Sequence, residues 1–69
     1  METATMYTQA ESKINGRSVW HFLIDTPIGQ IHVVDYEAED MHIERTIING
    51  DNEKAERKYK AICKKLIER

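Results

Sequence analysis

Three histidines (His21, His32 and His42), one cysteine (Cys63) and a run of carboxylates from Asp35 to Glu44 are the side chains here with the types and spacing for chemistry. A zinc site needs four ligands in tetrahedral geometry. His21 and His32 would lie diagonally across neighbouring strands. The remaining ligands would then have to come from His42, a carboxylate or Cys63, all on other elements. Two amphipathic histidines at a partly buried surface are the simpler reading, and no metal is expected. Cys63 stands beside Lys64 and Lys65, the kind of cationic setting in which thiols act as nucleophiles. It also borders an apolar helical stripe, and no histidine has sequence grounds for pairing with it, so it reads as a packing residue. The carboxylates Asp35, Glu37, Glu39, Asp40 and Glu44 are dense enough to imitate a general acid–base pair. Acids in a loop and along one strand are usually just solvated, so no catalysis and no cofactor are expected.

Two charged groupings point instead to partners. The acidic patch Asp35, Glu37, Glu39 and Asp40, with Tyr36 as an aromatic anchor, could occupy a basic groove on another protein. Small regulators and inhibitors carried by phages or mobile elements often work in this way. At the other end, Lys54, Arg57, Lys58, Lys64 and Lys65 could lie along phosphates. Residues 1–51 hold three basic and nine acidic side chains, and residues 52–69 hold seven basic and three acidic, so the two parts carry −6 and +4. The overall charge of −2, a pI near 5.9 and glutamates among the helix lysines all argue against a nucleic-acid footprint.

The elements that must position these groups are legible from turn chemistry and periodicity. Asn15-Gly16 readily takes the positive φ values of a tight hairpin, separating a strand at about residues 5–13 from one at about 17–25. Thr26-Pro27-Ile28-Gly29 makes the next turn. A third strand follows at about 30–36, and a fourth at about 41–48 with Met41, Ile43 and Ile47 at period-two spacing. Asp51 or Asn52 can cap a helix at about 53–68, whose apolar residues Ala55, Tyr59, Ile62, Cys63, Leu66 and Ile67 form one stripe. The fold class is therefore α+β, an antiparallel meander of three to four strands with one amphipathic C-terminal helix on one face. The N-terminal strand is its weakest element, because the Asn15-Gly16 register sets Gln9 and Glu11 opposite Phe22 and Trp20. Either this hairpin carries a β-bulge, or the Met6–Thr8–Ala10 side of the strand pairs over the second face.

Sixty-nine residues form one domain near the lower size limit for an unstapled core. A lone cysteine allows no internal disulfide and fits a reducing compartment. Met1–Ala10 contains Glu2 and no apolar run, so no signal peptide is expected, and no stretch is apolar enough to span a bilayer. A cytoplasmic protein is the expectation.

The register expected for the second hairpin places Trp20, Phe22, Ile24, Ile31 and Val33 on one face, which is expected to receive the helix. Val19, His21, Leu23, His32, Val34 and Tyr36 then form the other face, too apolar for plain solvation. One helix cannot cover both. These six residues are the expected interface of a non-enzymatic protein–protein interaction module, either a homodimer or a subunit of a larger assembly. The alternative is a nucleic-acid-binding module acting through the helix. No small-molecule substrate is evident.

Overall fold

The computed structural model describes residues 4–38, 40 and 42–68. Four strands, β1 (Thr5–Ile14), β2 (Arg17–Thr26), β3 (Gly29–Glu37) and β4 (Ile43–Asn49), are followed by one helix, α1 (Asn52–Ile67). The sheet is a plain antiparallel meander in the order β1-β2-β3-β4. Its bounds agree with the sequence reading to within a residue or two, except that Met41 lies outside the described residues.

Each connection has a local cause. Asn15 and Gly16 both take positive φ, +51° and +77°, so the first hairpin closes through a two-residue turn whose twist matches that of the strands. Across the second turn the Thr26 hydroxyl donates to the Gly29 carbonyl at 2.6 Å. Between β1 and β2 the register shifts between Thr8 and Ala10. That is the bulge, one of the two expected outcomes. It leaves Gln9 unpaired, restores Thr8 opposite Phe22 and turns Ala10 to meet His21. Gly50 ends the sheet at φ +69°, with its amide donating to the Gln30 carbonyl at 2.9 Å. Asp51 then caps α1, its carboxylate accepting from the Lys54 amide at 3.0 Å.

The helix lies on the face opposite to the one expected. Val19, Val34 and Ile48 are buried beneath Ala55, Ile62 and Leu66, with Ile14, Tyr36, Tyr59 and Cys63 packed at the margin. Ile67, assigned to the stripe by periodicity, is instead exposed. The pairing behind the prediction is correct: Trp20, Phe22 and Ile24 stand opposite Asp35, Val33 and Ile31. Only the choice of face fails, and the cause is physical. The same face carries Asp35 and Arg45, direct partners across β3 and β4. A helix laid there would strip water from the Arg45 guanidinium, whose side chain is 60% exposed as it stands. The other face offers flat valines, against which the small Ala55 permits close approach.

The seam between helix and sheet is closed at its far end by Asn15. Its side-chain amide donates to the Leu66 carbonyl at 2.6 Å, satisfying an acceptor that the last helical turn would leave open. The first hairpin turn thus caps the C-terminal end of the helix.

Two predictions follow from this seam. Ala55→Asp or Ile62→Asp puts an unpartnered charge into the core and should abolish cooperative thermal unfolding near the wild-type temperature; a wild-type melt for either would refute the assigned stripe. Asn15→Gly keeps the turn but loses the cap, for a cost of about 1 kcal/mol, whereas Asn15→Ala loses the same cap and also the side-chain amide that makes the left-handed region tolerable for Asn, for about 1–2 kcal/mol more. Equal denaturation midpoints for the two variants would show that Asn15 has only one of these roles.

Candidate functional site

Because the helix takes the valine face, the six residues expected as an interface are redistributed. Val19, Val34, His21 and His32 are buried under α1, and Leu23 and Tyr36 are partly buried on the same side. Val19, Val34 and Tyr36 belong to the helix–sheet seam, with His21 beside Tyr59, so the set is not an open surface. The acidic patch also dissolves. Asp35 is 3% exposed and faces away from the helix, Glu37 is half-buried, Asp40 accepts from the His42 amide in an exposed loop, and Glu39 lies outside the described residues. Lys54, Arg57, Lys58, Lys64 and Lys65 are exposed on α1. A concavity of about 610 Å³ beside them mixes Arg17, Lys58 and Lys65 with Asp40 and Glu44, so it presents no field of one sign.

The two histidines do meet. His21 Nε2 and His32 Nδ1 are 2.9 Å apart, so one neutral ring donates to the other. The His21 ring also lies against Tyr59, with centroids 6.3 Å apart, and the Tyr59 hydroxyl hydrogen-bonds the Ser12 hydroxyl. His32 Nε2 is buried with no hydrogen-bond partner among the described residues. Whichever tautomer is present, the pair cannot satisfy all its nitrogens, a cost of about 1–3 kcal/mol. No group of three or more His, Cys, Asp and Glu side chains that could hold a metal occurs among the described residues.

The surface left for a partner is the other face of the sheet. Trp20, Phe22, Ile24, Ile31, Val33, Ile43 and Ile47, with Met6 at the margin, line a groove of about 630 Å³. Trp20 and Phe22 stack at a centroid distance of 6.4 Å and an interplanar angle of 13°. Val33 forms the floor at 7% exposure, while Ile43 and Ile47 stand 50% and 63% exposed on β4. At the end of the groove Arg45 grips Asp35 with both Nε and a terminal nitrogen, at 2.9–3.2 Å. This hydrogen bond, and then the Asp35 charge, raises the Arg45 pKa above its ordinary value. The pair leaves the buried carboxylate neutralised in place.

Sequence reasoning counted most of these apolar residues as core, and gave Ile43 and Ile47 only a strand period. The register gave half of the signal that could have placed them, since it sets Trp20 directly opposite Asp35; the other half, Arg45 beside Asp35, needs the register of β4. No family model, curated protein or solved structure matches the chain. No helix among the described residues is long and apolar enough to cross a membrane.

The histidine pair gives the seam a pH dependence. Burial, then the neighbouring His32, lowers the His21 pKa from its ordinary 6.5, with Glu56 opposing. A base whose folded pKa is depressed stabilises the fold fully above its unfolded pKa, and that contribution is lost as pH falls below it. Melting temperature should therefore drop between about pH 7.5 and about pH 5.5, and His21→Phe should flatten the drop. An unchanged slope in that variant would exonerate His21.

Proposed function

We propose that this protein is a non-enzymatic protein-interaction module whose working surface is the open sheet face. The single observation that carries the reading is that face itself: two stacked aromatics and a set of aliphatic residues line a groove that no described part of the chain covers. Antiparallel sheets that meet water on one side usually alternate to polar residues there, and here the polar Thr8, Glu11, Asp35 and Arg45 flank an apolar centre instead. The Asp35–Arg45 pair within it carries no net charge and its centre is apolar, which favours another apolar protein surface over a phosphate backbone. A chain of this size that acts by occupying a partner's surface would serve as a regulator or inhibitor subunit.

The test compares two variants in affinity capture at near-endogenous level. Phe22→Lys charges the centre of the groove, while Lys58→Glu alters the exposed helix. Phe22 is only partly buried, so the lysine can reach water and the fold should persist by circular dichroism. The expected outcome is that wild type and Lys58→Glu retain the same bound protein and Phe22→Lys loses it. Undiminished retention by Phe22→Lys would remove the open face from the function. Retention of nucleic acid that is lost in Lys58→Glu would move the function to the helix.

A further inference from the structure

We propose that the occupant of the open face is a second copy of this chain, laid sheet against sheet about a two-fold axis that runs along the strands between β2 and β3. This rests on the reading of that face as a protein interface and adds the partner and the register.

The relief of the face carries the argument. β3 is a valley, with Val33 and Asp35 only 7% and 3% exposed. It runs between a ridge of Trp20 and Phe22 on β2 and a ridge of Ile43 and Ile47 on β4. Beyond β2, the edge strand β1 presents the short Thr8 opposite Phe22. In the row Thr8, Phe22, Val33 and Ile47 the relief therefore alternates low, high, low, high in strand order, while the exposed Met6 raises the far end of β1. A two-fold axis along the strands between β2 and β3 reverses that order in the other copy, so β2 lies over β3 and β1 over β4. In that central row each ridge then meets a valley. An axis across the strands would stack each strand on its own copy, ridge against ridge. Self-complementarity of this kind is what an isologous interface requires.

Charge agrees with the same axis. The register sets Glu11, Trp20, Asp35 and Arg45 in one row across the four strands. The axis folds that row onto itself reversed, bringing Arg45 of each copy over Glu11 of the other. Arg45 has exposed donors beyond those given to Asp35, and Glu11 is exposed at the sheet edge. Two ion pairs then sit at opposite rims of an apolar centre, and the buried Asp35 is already neutralised within its own chain. Four strands about 4.8 Å apart and about 20 Å of strand length give roughly 400 Å² of projected face per chain. Side-chain relief brings the accessible area lost by both copies to the order of 1,000 Å², the lower bound for a specific interface. Sheets packed about 10 Å apart leave room for such interdigitation.

Sedimentation equilibrium over a concentration series, with one cross-linking experiment, tests this. Wild type should dimerise in the micromolar range, Phe22→Lys should be monomeric with its helix intact, and Glu11→Arg should weaken the dimer about tenfold. In a Cys63→Ser background, Thr8→Cys and Ile47→Cys chains mixed together should be joined by a short bis-thiol reagent far faster than either alone. The axis sets Thr8 over Ile47 but holds like positions about 14 Å apart along the sheet. A wild type that stays monomeric at high micromolar concentration would overturn the second copy and leave the face to its own capture test. A dimer indifferent to Phe22→Lys would overturn both readings. A dimer lost in Phe22→Lys but indifferent to Glu11→Arg, with no preference for mixed cross-links, would overturn the axis.

Discussion

A four-stranded sheet has two faces, and the one helix among the described residues covers only one of them. Everything else in this structure follows from which face it takes. Seating α1 on Val19, Val34 and Ile48 turns the histidines inward and leaves the heavier side chains outward. The choice is an electrostatic one as much as a packing one. Valines give up little on burial and accept a close helix through Ala55, whereas the other face would have required taking a guanidinium out of water.

The seam that results is not purely apolar. Its middle is aliphatic, and its flank is a chain of polar contacts running from Ser12 through Tyr59 to His21 and His32. Such a chain fixes the rotation of the helix about its own axis, because sliding by one position would separate the Tyr59 hydroxyl from Ser12. The His32 nitrogen that finds no partner among the described residues is the cost of that specificity.

The elements were legible because their signals are local. Asn15-Gly16 sets the hairpin, Asp51 the cap, and the spacing of Ala55, Tyr59, Ile62 and Leu66 the buried stripe. The bulge beside Gln9 was one of two outcomes the hairpin register allowed, and it frees Phe22 from Gln9 while leaving Glu11 opposite Trp20. What could not be read from periodicity was which face the helix would choose, because alternation divides a strand into two sides without saying which is inside. Bulk suggested Trp20 and Phe22, and bulk misled. The decisive residues were Asp35 and Arg45, whose pairing joins two strands and is invisible until the register of β4 is known. The argument from an uncovered apolar face still applies, but the six side chains it named lie on the side of the sheet that the helix takes.

The hydrogen bond from Asn15 to the Leu66 carbonyl spans 51 positions. It ties the turn between β1 and β2 to almost the last residue of the helix. Contacts this distant in sequence carry a large closure entropy and form late. The β1–β2 hairpin can assemble as soon as its own residues emerge from the ribosome, but it must wait for residue 66 before its outer turn has anything to cap. Until then the valine face is as bare as the aromatic one, and the nascent meander has two adhesive sides. Order of synthesis thus gives this unit a vulnerable interval that ends only when the helix docks.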